Sequence, residues 1–348
     1  MDQLLLRLPF QFQQIIEQVK NQDWLICNFD VSKDALYNPA GYIYNNDLNG
    51  TQYKIILDRN VFRFIVSSAK GIVPNEKQRA AISLVCFCQI ANIDFEPNLA
   101  VYERLLPQKN NAQNAVDELI LFNKINNSPN DSLISFSLSE SNYLELYPGS
   151  PWDADKLQKQ LTKYQWLTEW KSLYLIILKI VYFNSLKISS KSKLTEFIKW
   201  LVKDFRLSAV SIVFAIFLFS SVRLKNMVKL KSSSKKGDKL KQLYNMTWDL
   251  FFMNNYIRLL INKDDRSEIL LATDDKIIKQ VLRATLDVQN AGSLSKLKSY
   301  LPIKEHVLVN IVEDEIENTE DRVYDSIEWS MDYREELIRE VEQVVLSI

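Results

Sequence analysis

Short apolar runs alternate with longer amphipathic segments along the chain, a pattern typical of a mixed α/β protein. Two runs have the length and the β-branched content of buried strands, Tyr53–Leu57 and Ile269–Ala272. A third apolar run, Val307–Val312, fits a last strand. Apolar residues at helical spacing predict helices over Phe10–Val19, Glu76–Ala91, Ala115–Ile125 and Trp248–Ile261.

The segment from Trp152 to Val222 has helical spacing throughout and separates the two strand-containing parts of the chain. We therefore predict a discontinuous α/β core interrupted by a large helical insertion. The predicted boundaries are an N-terminal extension over 1–50, a core formed by 51–106 and 245–312, a mostly helical insertion over 107–244 that ends in a basic segment, and an acidic C-terminal helix over 313–348.

Composition limits the cellular compartment that we expect for the protein and the kinds of catalytic or metal site that it can contain. The longest uncharged apolar run, Leu207–Val222, is shorter than the roughly 20 residues that a bilayer requires, so we expect a buried core helix and no membrane contact. The 3 cysteines include no CxxC pair and the N-terminus lacks an export signal, so we expect a cytoplasmic protein. A single histidine, His306, excludes most histidine-dependent sites, and the balanced net charge excludes long-range steering.

Carboxylates follow both predicted strands at the points where helices begin. Asp58 ends the first strand, and Asp274 and Asp275 follow the second. Because sites in open parallel sheets form at the carboxyl ends of strands, these side chains are expected to face one crevice. Asp249 lies at the edge of the apolar stripe of its helix, where a side chain can enter a cleft, and Glu103 is a fourth candidate.

These residues carry a resemblance to the PIN-domain ribonucleases. Leu57-Asp58-Arg59-Asn60-Val61 resembles the family's opening motif, in which the first strand ends in Asp and Asn or Ser follows after one residue. Thr273-Asp274-Asp275-Lys276 is similar to its late T-x-D-K motif, which assigns the metal-site acid to Asp275. Trp248-Asp249-Leu250 resembles the Asp on the preceding helix. The family's intermediate Glu is assigned to Glu103, with Glu118 as the substitute.

The resemblance implies a three-layer α/β sandwich with a central, mainly parallel sheet, extended here by the helical insertion. It also implies a Mg²⁺- or Mn²⁺-dependent endoribonuclease that acts as a toxin or as a stress or phage-defence effector. Oxygen ligands favour these ions, which activate a bound water and stabilise charge on a phosphodiester. The implied catalytic and metal-binding residues are Asp58, Glu103, Asp249 and Asp275, and the residues that support them are Asn60, Thr273 and Asp274.

Other interpretations stay open. Asp58 and Asp274 are also suited to be N-caps, which stabilise a helix by about 1 kcal/mol. The chain is alternatively an inactive PIN-like module that binds RNA or a protein partner. A phosphoryl-transfer domain with a strand-end Asp is disfavoured, because Asp58-Arg59-Asn60 lacks a second Asp and no acidic pair occurs early in the chain.

Charged segments outside the core suggest partners. Lysines concentrate just before Asp249, either as a solvated loop or as contacts to the phosphate backbone of RNA. The acidic C-terminus is a solvated helix face, a cover for the basic segment or a docking element for a regulatory protein or a second copy. The predicted nucleic-acid-binding residues are Lys225, Lys229, Lys231, Lys235, Lys236, Lys239 and Lys241.

Overall fold

The structure is a computed structural model that describes residues 8–29, 32, 34–71, 73–105, 112–149, 152–162, 167–230, 233–318 and 331–348. The chain divides into two compact units. The first unit consists of Met1–Tyr164 and Arg258–Asp275, and the second of Gln165–Ile257 and Lys276–Ile348. The protein is of the mixed α/β class and is mostly helical.

The first unit contains a four-stranded sheet in its described residues, with helices packed around it. Its strands are β1 (Leu25–Ile26), β2 (Gln52–Leu57), β3 (Ile93–Glu96) and β4 (Ser267–Ala272). Its helices are α1 (Phe12–Gln22), α2 (Pro39–Asn49), α3 (Arg59–Ser67), α4 (Glu76–Ile90), α5 (Asn98–Tyr102), α6 (Ala112–Asn126), α7 (Asn130–Ser137) and α8 (Ala154–Thr162).

The strands lie in the order β1-β4-β2-β3. β2 pairs in parallel with both of its neighbours, with Leu57 opposite Ala272 in β4 and Ile56 opposite Glu96 in β3. β1 pairs antiparallel with β4, with Leu25 opposite Ala272. The sheet is therefore mixed, and its three parallel strands bring their carboxyl ends to one edge.

Burial explains why β2 and β4 were visible in the sequence. Ile55, Ile56 and Leu57 are at most 1% exposed, so the second half of β2 is covered on both faces and is continuously apolar, whereas Gln52 and Lys54 in its first half are exposed. Leu270 and Leu271 of β4 are fully buried in the same way. Both predicted strands are confirmed, whereas β1 and β3 were missed because they are short.

The first 50 residues are part of the first unit, which corrects the prediction of an N-terminal extension. Phe12, Ile15 and Val19 form the buried face of α1, which packs against α4. Asp23 then adopts a left-handed conformation (φ 51°) that Asp tolerates better than most residues. This turn ends α1 and leads the chain into β1 at the edge of the sheet.

Residues 112–162 also pack on the first unit, although they were predicted to begin the helical insertion. Leu119 and Phe122 of α6 lie in the same hydrophobic cluster as the β2 side chains, and Phe122 stacks on Phe62 of α3 at 5.4 Å between ring centroids. Cys86 and Cys88 of α4 are buried in this cluster. Burial raises the pKa of Cys86 to about 12, as suits a core residue.

The second unit is helical in its described residues. Its helices are α9 (Leu167–Ser185), α10 (Ser190–Lys203), α11 (Ala209–Leu218), α12 (Lys236–Ile261, whose last turn belongs to the first unit), α13 (Lys276–Ala291), α14 (His306–Glu317) and α15 (Met331–Ser347). α11 is buried from Val210 to Leu218, which confirms a core helix in the longest apolar run. Among the described helices, none is both long and apolar enough to cross a membrane.

The predicted last strand, Val307–Val312, is wrong, because these residues belong to α14. The buried side chains are Leu308, Val309 and Val312, a spacing of one, three and four residues that places them on one face of a helix. A short apolar run does not by itself distinguish a strand from a helix, and burial on one helical face decides the outcome here.

The acidic C-terminal region, predicted as a helix over 313–348, does not begin a helix of its own, because residues 313–317 end α14. Its last part forms α15, which packs against α9 within the second unit. Lys171 of α9 forms an ion pair with Glu335, and the Tyr174 hydroxyl donates a hydrogen bond to Glu342. Burial raises the pKa of Tyr174, and the neighbouring Glu342 carboxylate raises it further. The acidic residues between 319 and 330 lie outside the described residues.

Candidate active site at the carboxyl edge of the sheet

Asp58 and the turn after β4 meet at the carboxyl edge of the sheet. Leu57 and Ala272 are in register as the last residues of β2 and β4, and the Asp58 amide donates to the Ala272 carbonyl at 2.9 Å. Asp58 and Thr273 therefore leave two adjacent parallel strands side by side. The prediction that these strand ends share one edge is confirmed.

The Asp58 carboxylate does not cap the helix that follows it. Asp58 occupies the N-cap position of α3, but its side chain accepts no capping hydrogen bond. Instead, the Thr273 hydroxyl donates to Asp58 Oδ2 at 2.9 Å. Asp58 is only 5% exposed, so this carboxylate is held in a buried place by a partner from the neighbouring strand. The N-cap interpretation of Asp58 is therefore wrong.

Thr273 connects both predicted acids. While its hydroxyl donates to Asp58, the same Oγ1 accepts a hydrogen bond from the Asp275 amide at 3.0 Å. The Thr273 amide donates to the Trp24 carbonyl at 3.0 Å. Thr273 is fully buried. The turn from β4 towards Asp275 is thus tied to β2 on one side and to the start of β1 on the other.

Asp274 has partners of its own that could not be predicted from the sequence. The Trp24 indole N–H donates to Asp274 Oδ1 at 3.0 Å, and Lys77 of α4 forms an ion pair with Oδ2. Its neighbour Asp275 is half-buried. Two other elements thus bind the Asp274 carboxylate, whereas the Asp275 amide binds Thr273.

Glu118, the substitute for the intermediate Glu, is held by two arginines. Arg59 donates to both of its carboxylate oxygens at 2.8 and 3.0 Å, and Arg104 does so at 2.9 and 2.7 Å. Burial acts to raise the pKa of Glu118, but the hydrogen bonds and charges of the two guanidinium groups outweigh it and lower the pKa. Because two arginines hold both of its carboxylate oxygens, Glu118 has the contacts of a structural ion-pair residue. Glu103, half-buried at the start of a 3₁₀ turn, keeps the assignment.

Asp249 lies in α12 within the second unit, whereas Asp58 and Asp275 lie in the first. Leu250 and Met253 are buried beside it, which confirms the predicted apolar stripe. Asp249 forms an ion pair with Lys229, one of the lysines predicted to bind RNA. Two residues assigned to different roles thus balance each other's charge.

Two further polar residues follow or end strands of the sheet. One was predicted to support the site and the other was not predicted. Asn60, predicted to orient Asp58, is exposed in the first turn of α3. Glu96, which the sequence interpretation did not consider, ends β3 in register with Ile56, and its carboxylate accepts from the Asn98 amide at 3.1 Å. Glu96 was missed because β3 itself was not predicted.

The predicted basic residues differ in their exposure. Lys225, Lys235 and Lys236 are exposed, and so is Lys241, which lies 3.7 Å from an Asp238 oxygen. Lys239 is only 6% exposed, and its ammonium donates to the Leu346 carbonyl of α15 at 3.2 Å. This part of the acidic C-terminal helix therefore covers one lysine of the basic segment. Lys231 lies outside the described residues.

The resemblance implies a divalent cation, and the donor set tests whether one fits. Within the described residues, no three His, Cys, Asp or Glu side chains are grouped closely enough to hold a metal ion. Mg²⁺ keeps several waters and needs only one or two protein carboxylates when substrate phosphates supply further oxygens. Asp58 and Asp275 offer two carboxylates of this kind, and Thr273 links the Asp58 side chain to the Asp275 amide. A site made of all four predicted carboxylates is not seen in this part of the chain.

Comparison with known proteins adds no relative. No protein-family model matches the chain, and searches of curated proteins and of solved structures find no significant match. The resemblance to PIN-domain ribonucleases therefore depends on the motif residues around Asp58, Asp249 and Asp275. Asp58 and Asp275 each lie between a strand and a helix, whereas Asp249 lies in the middle of α12, which begins at Lys236 and not at the predicted Trp248. Membership of that family remains a prediction.

Proposed function

We propose that this chain is a metal-dependent ribonuclease whose first unit has the three-layer, PIN-like sandwich fold. In this proposal Asp58 and Asp275 are the carboxylates that bind Mg²⁺ or Mn²⁺. Glu103 and Asp249 contribute as the motif assignment implies, and single-stranded or structured RNA is the substrate.

One observation carries the proposal, namely the link between the ends of β2 and β4. A single hydroxyl, Thr273 Oγ1, bonds the Asp58 carboxylate and the Asp275 amide, although these residues are far apart in sequence. The link brings the ends of two parallel strands together at one edge of the sheet, which is where sites form in open α/β sheets. Mg²⁺ needs only one or two protein carboxylates at such an edge when waters and substrate phosphates supply its other oxygens.

The protein residues have distinct tasks in this scheme. A bound divalent ion would activate a water and stabilise negative charge on the phosphodiester. Asp58 and Asp275 hold that ion, and Thr273 fixes the direction of Asp58 and the path of the chain into Asp275. The exposed lysines Lys235 and Lys236 contact the RNA backbone without reading its sequence.

The direct test is incubation of the purified chain with labelled single-stranded RNA in Mn²⁺, with and without a chelator. We expect cleavage that requires the metal and leaves a 5′-phosphate. Asp58→Asn and Asp275→Asn should abolish cleavage while retaining the fold, measured by circular dichroism. Asp47→Asn, an equal change at an exposed position of α2, is the matched control. If both site variants cleave as well as the parent, the assignment is wrong.

A charge-reversal variant tests the RNA contact separately. Lys235→Glu with Lys236→Glu should weaken RNA binding and reduce its dependence on salt, because each backbone contact releases counterions. Lys191→Glu with Lys203→Glu makes the same charge change on the exposed surface of α10. An equal loss of RNA binding in both double variants would indicate a general charge effect. The basic segment would then be interpreted as a solvated loop.

The second candidate is a PIN-like module without catalytic activity that binds RNA or a protein partner. The observation that favours it is the pairing of acids with bases, since Lys229 balances Asp249 and two arginines balance Glu118. RNA binding without cleavage in Mn²⁺, unaffected by Asp58→Asn, would support this alternative.

A further inference from the structure

Asp274 is held at both of its carboxylate oxygens by residues from two other elements. The Trp24 indole donates to Oδ1 at 3.0 Å from the start of β1, and Lys77 in the first turn of α4 pairs with Oδ2. The Trp24 carbonyl also accepts from the Thr273 amide at 3.0 Å. Trp24 therefore binds two consecutive residues of the turn, one through its main chain and one through its side chain.

The aromatic ring of Phe64 supports both partners of Asp274. Trp24 stacks on Phe64 with 6.1 Å between ring centroids and 21° between ring planes. Lys77 Nζ lies 5.4 Å from the centroid of the same ring. Trp24 is 1% exposed, so its indole has little freedom to turn away. The Phe64 ring of α3 thus contacts both the Trp24 indole and the Lys77 ammonium, which in turn bind Asp274.

The position of Lys77 is unfavourable for its own helix. A cation in the first turn of a helix opposes the helix dipole, and the preferred residues there are acidic. Lys77 instead serves the neighbouring turn, where it balances the charge of Asp274. The Lys77 ammonium and the Trp24 indole together occupy both carboxylate oxygens of Asp274, so this side chain is held in one direction.

We infer that Trp24 and Lys77 are positioning residues that fix the Thr273–Asp275 turn through Asp274. This inference rests on the proposed metal site and deepens it, since it states what sets the direction of Asp275. Trp24 and Lys77 touch neither substrate nor metal, and Asp274 acts as their anchor.

The first test needs no metal. Trp24→Phe keeps an aromatic ring against Phe64 but removes the indole N–H, with no change of charge. We expect amide hydrogen exchange at Thr273 and Asp275 to become about tenfold faster, because an anchoring hydrogen bond of about 1.4 kcal/mol is lost. Trp152→Phe, at a partly buried tryptophan packed on the same core, should leave these two amides unchanged. Unchanged exchange in Trp24→Phe would overturn the positioning role.

The second test measures Mn²⁺ binding by electron paramagnetic resonance. Residues that orient metal ligands typically contribute about 10- to 100-fold in affinity, so Trp24→Phe and Lys77→Met should each bind Mn²⁺ at least about tenfold more weakly. Lys77→Met is decisive, because removal of a positive charge alone would strengthen cation binding. Lys77→Arg should restore the affinity.

The outcomes separate this inference from the proposed function. If Asp58→Asn and Asp275→Asn lose Mn²⁺ binding while Lys77→Met binds it as tightly as the parent or more tightly, the positioning role is overturned and the metal site stands. If Asp58→Asn and Asp275→Asn bind Mn²⁺ as the parent does, the metal site itself is wrong. Asp274→Ala, which removes the acceptor of the Trp24 indole and the partner of Lys77 while leaving Trp24 in place, replaces Trp24→Phe if that variant does not fold.

Discussion

Replacement of the buried hydroxyl of Thr273 should cost far more stability than the size of the change suggests. Thr273→Val keeps the branched shape of the side chain but removes the donor to Asp58 Oδ2 and the acceptor of the Asp275 amide. Both hydrogen bonds are close to ideal length, at 2.9 and 3.0 Å. Thr273 is fully buried, so water does not replace them.

The expected free-energy change follows from these two bonds. A hydrogen bond to a charged group contributes about 1.5–3 kcal/mol and one between neutral groups about 0.5–1.5 kcal/mol. Thr273→Val should therefore lower the free energy of unfolding of the first unit by about 2–4 kcal/mol. Thr273→Ser keeps both bonds and loses one methyl group, at a cost of about 1 kcal/mol.

The assay is amide hydrogen exchange along β2 and β4, which reports the opening of the first unit without requiring the whole chain to unfold in one step. The same change in an Asp58→Ala background should cost about 1.5–3 kcal/mol less, because the bond to the Asp58 carboxylate is then already absent. A hydrophobic account predicts the reverse order, with Val more stable than Ser at a dry position. That order, or a Thr273→Val variant as stable as the parent, would refute the role of the hydroxyl.

Three further predictions concern other contacts. Glu118→Gln should destabilise the first unit by about 1–3 kcal/mol at pH 7 in urea unfolding. Because the folded-state pKa of Glu118 is lowered from its ordinary 4.5, its contribution is present above that pH and is lost as the pH falls through the folded value, so the difference from the parent should shrink in acid. Tyr174→Phe should lower the stability of α15 by about 1–2 kcal/mol and speed its amide exchange, since the bond to Glu342 is lost. Asn75→Ala should destabilise α4 by about 1 kcal/mol, seen as a lower urea midpoint, because Asn75 and Gln78 form a capping box.

Strands and helices were predicted correctly from the sequence where burial on several sides requires a continuous run of apolar residues. The second half of β2 and the end of β4 are covered on both faces, so each ends in an apolar run that a polar turn with an Asp follows. α11 and α4 are apolar over most of their surface and were equally visible. β1 and β3 have 2 and 4 residues, too few for any periodicity to show. The strand predicted at Val307–Val312 was wrong for a related reason. This apolar run is too short to distinguish the two-residue period of a strand from the 3.6-residue period of a helix.

The site was only partly visible for a different physical reason. Asp58 and Thr273 could be placed together because parallel strands share an edge, which is a rule of topology. The Trp24 indole and the Lys77 ammonium reach Asp274 from segments that are distant in sequence and carry no motif. The two arginines on Glu118 are also tertiary contacts, and a single sequence contains no signal for them.

The order of strands has a consequence for how the chain is made. β4 lies between β1 and β2, yet it is the last of the four strands to be synthesised, after most of the second unit. On the ribosome, β1 and the open side of β2 therefore have no partner until the Ser267–Ala272 segment emerges. The nascent first unit exposes unpaired strand edges for that interval, and completion of its sheet must wait for a late, non-local pairing.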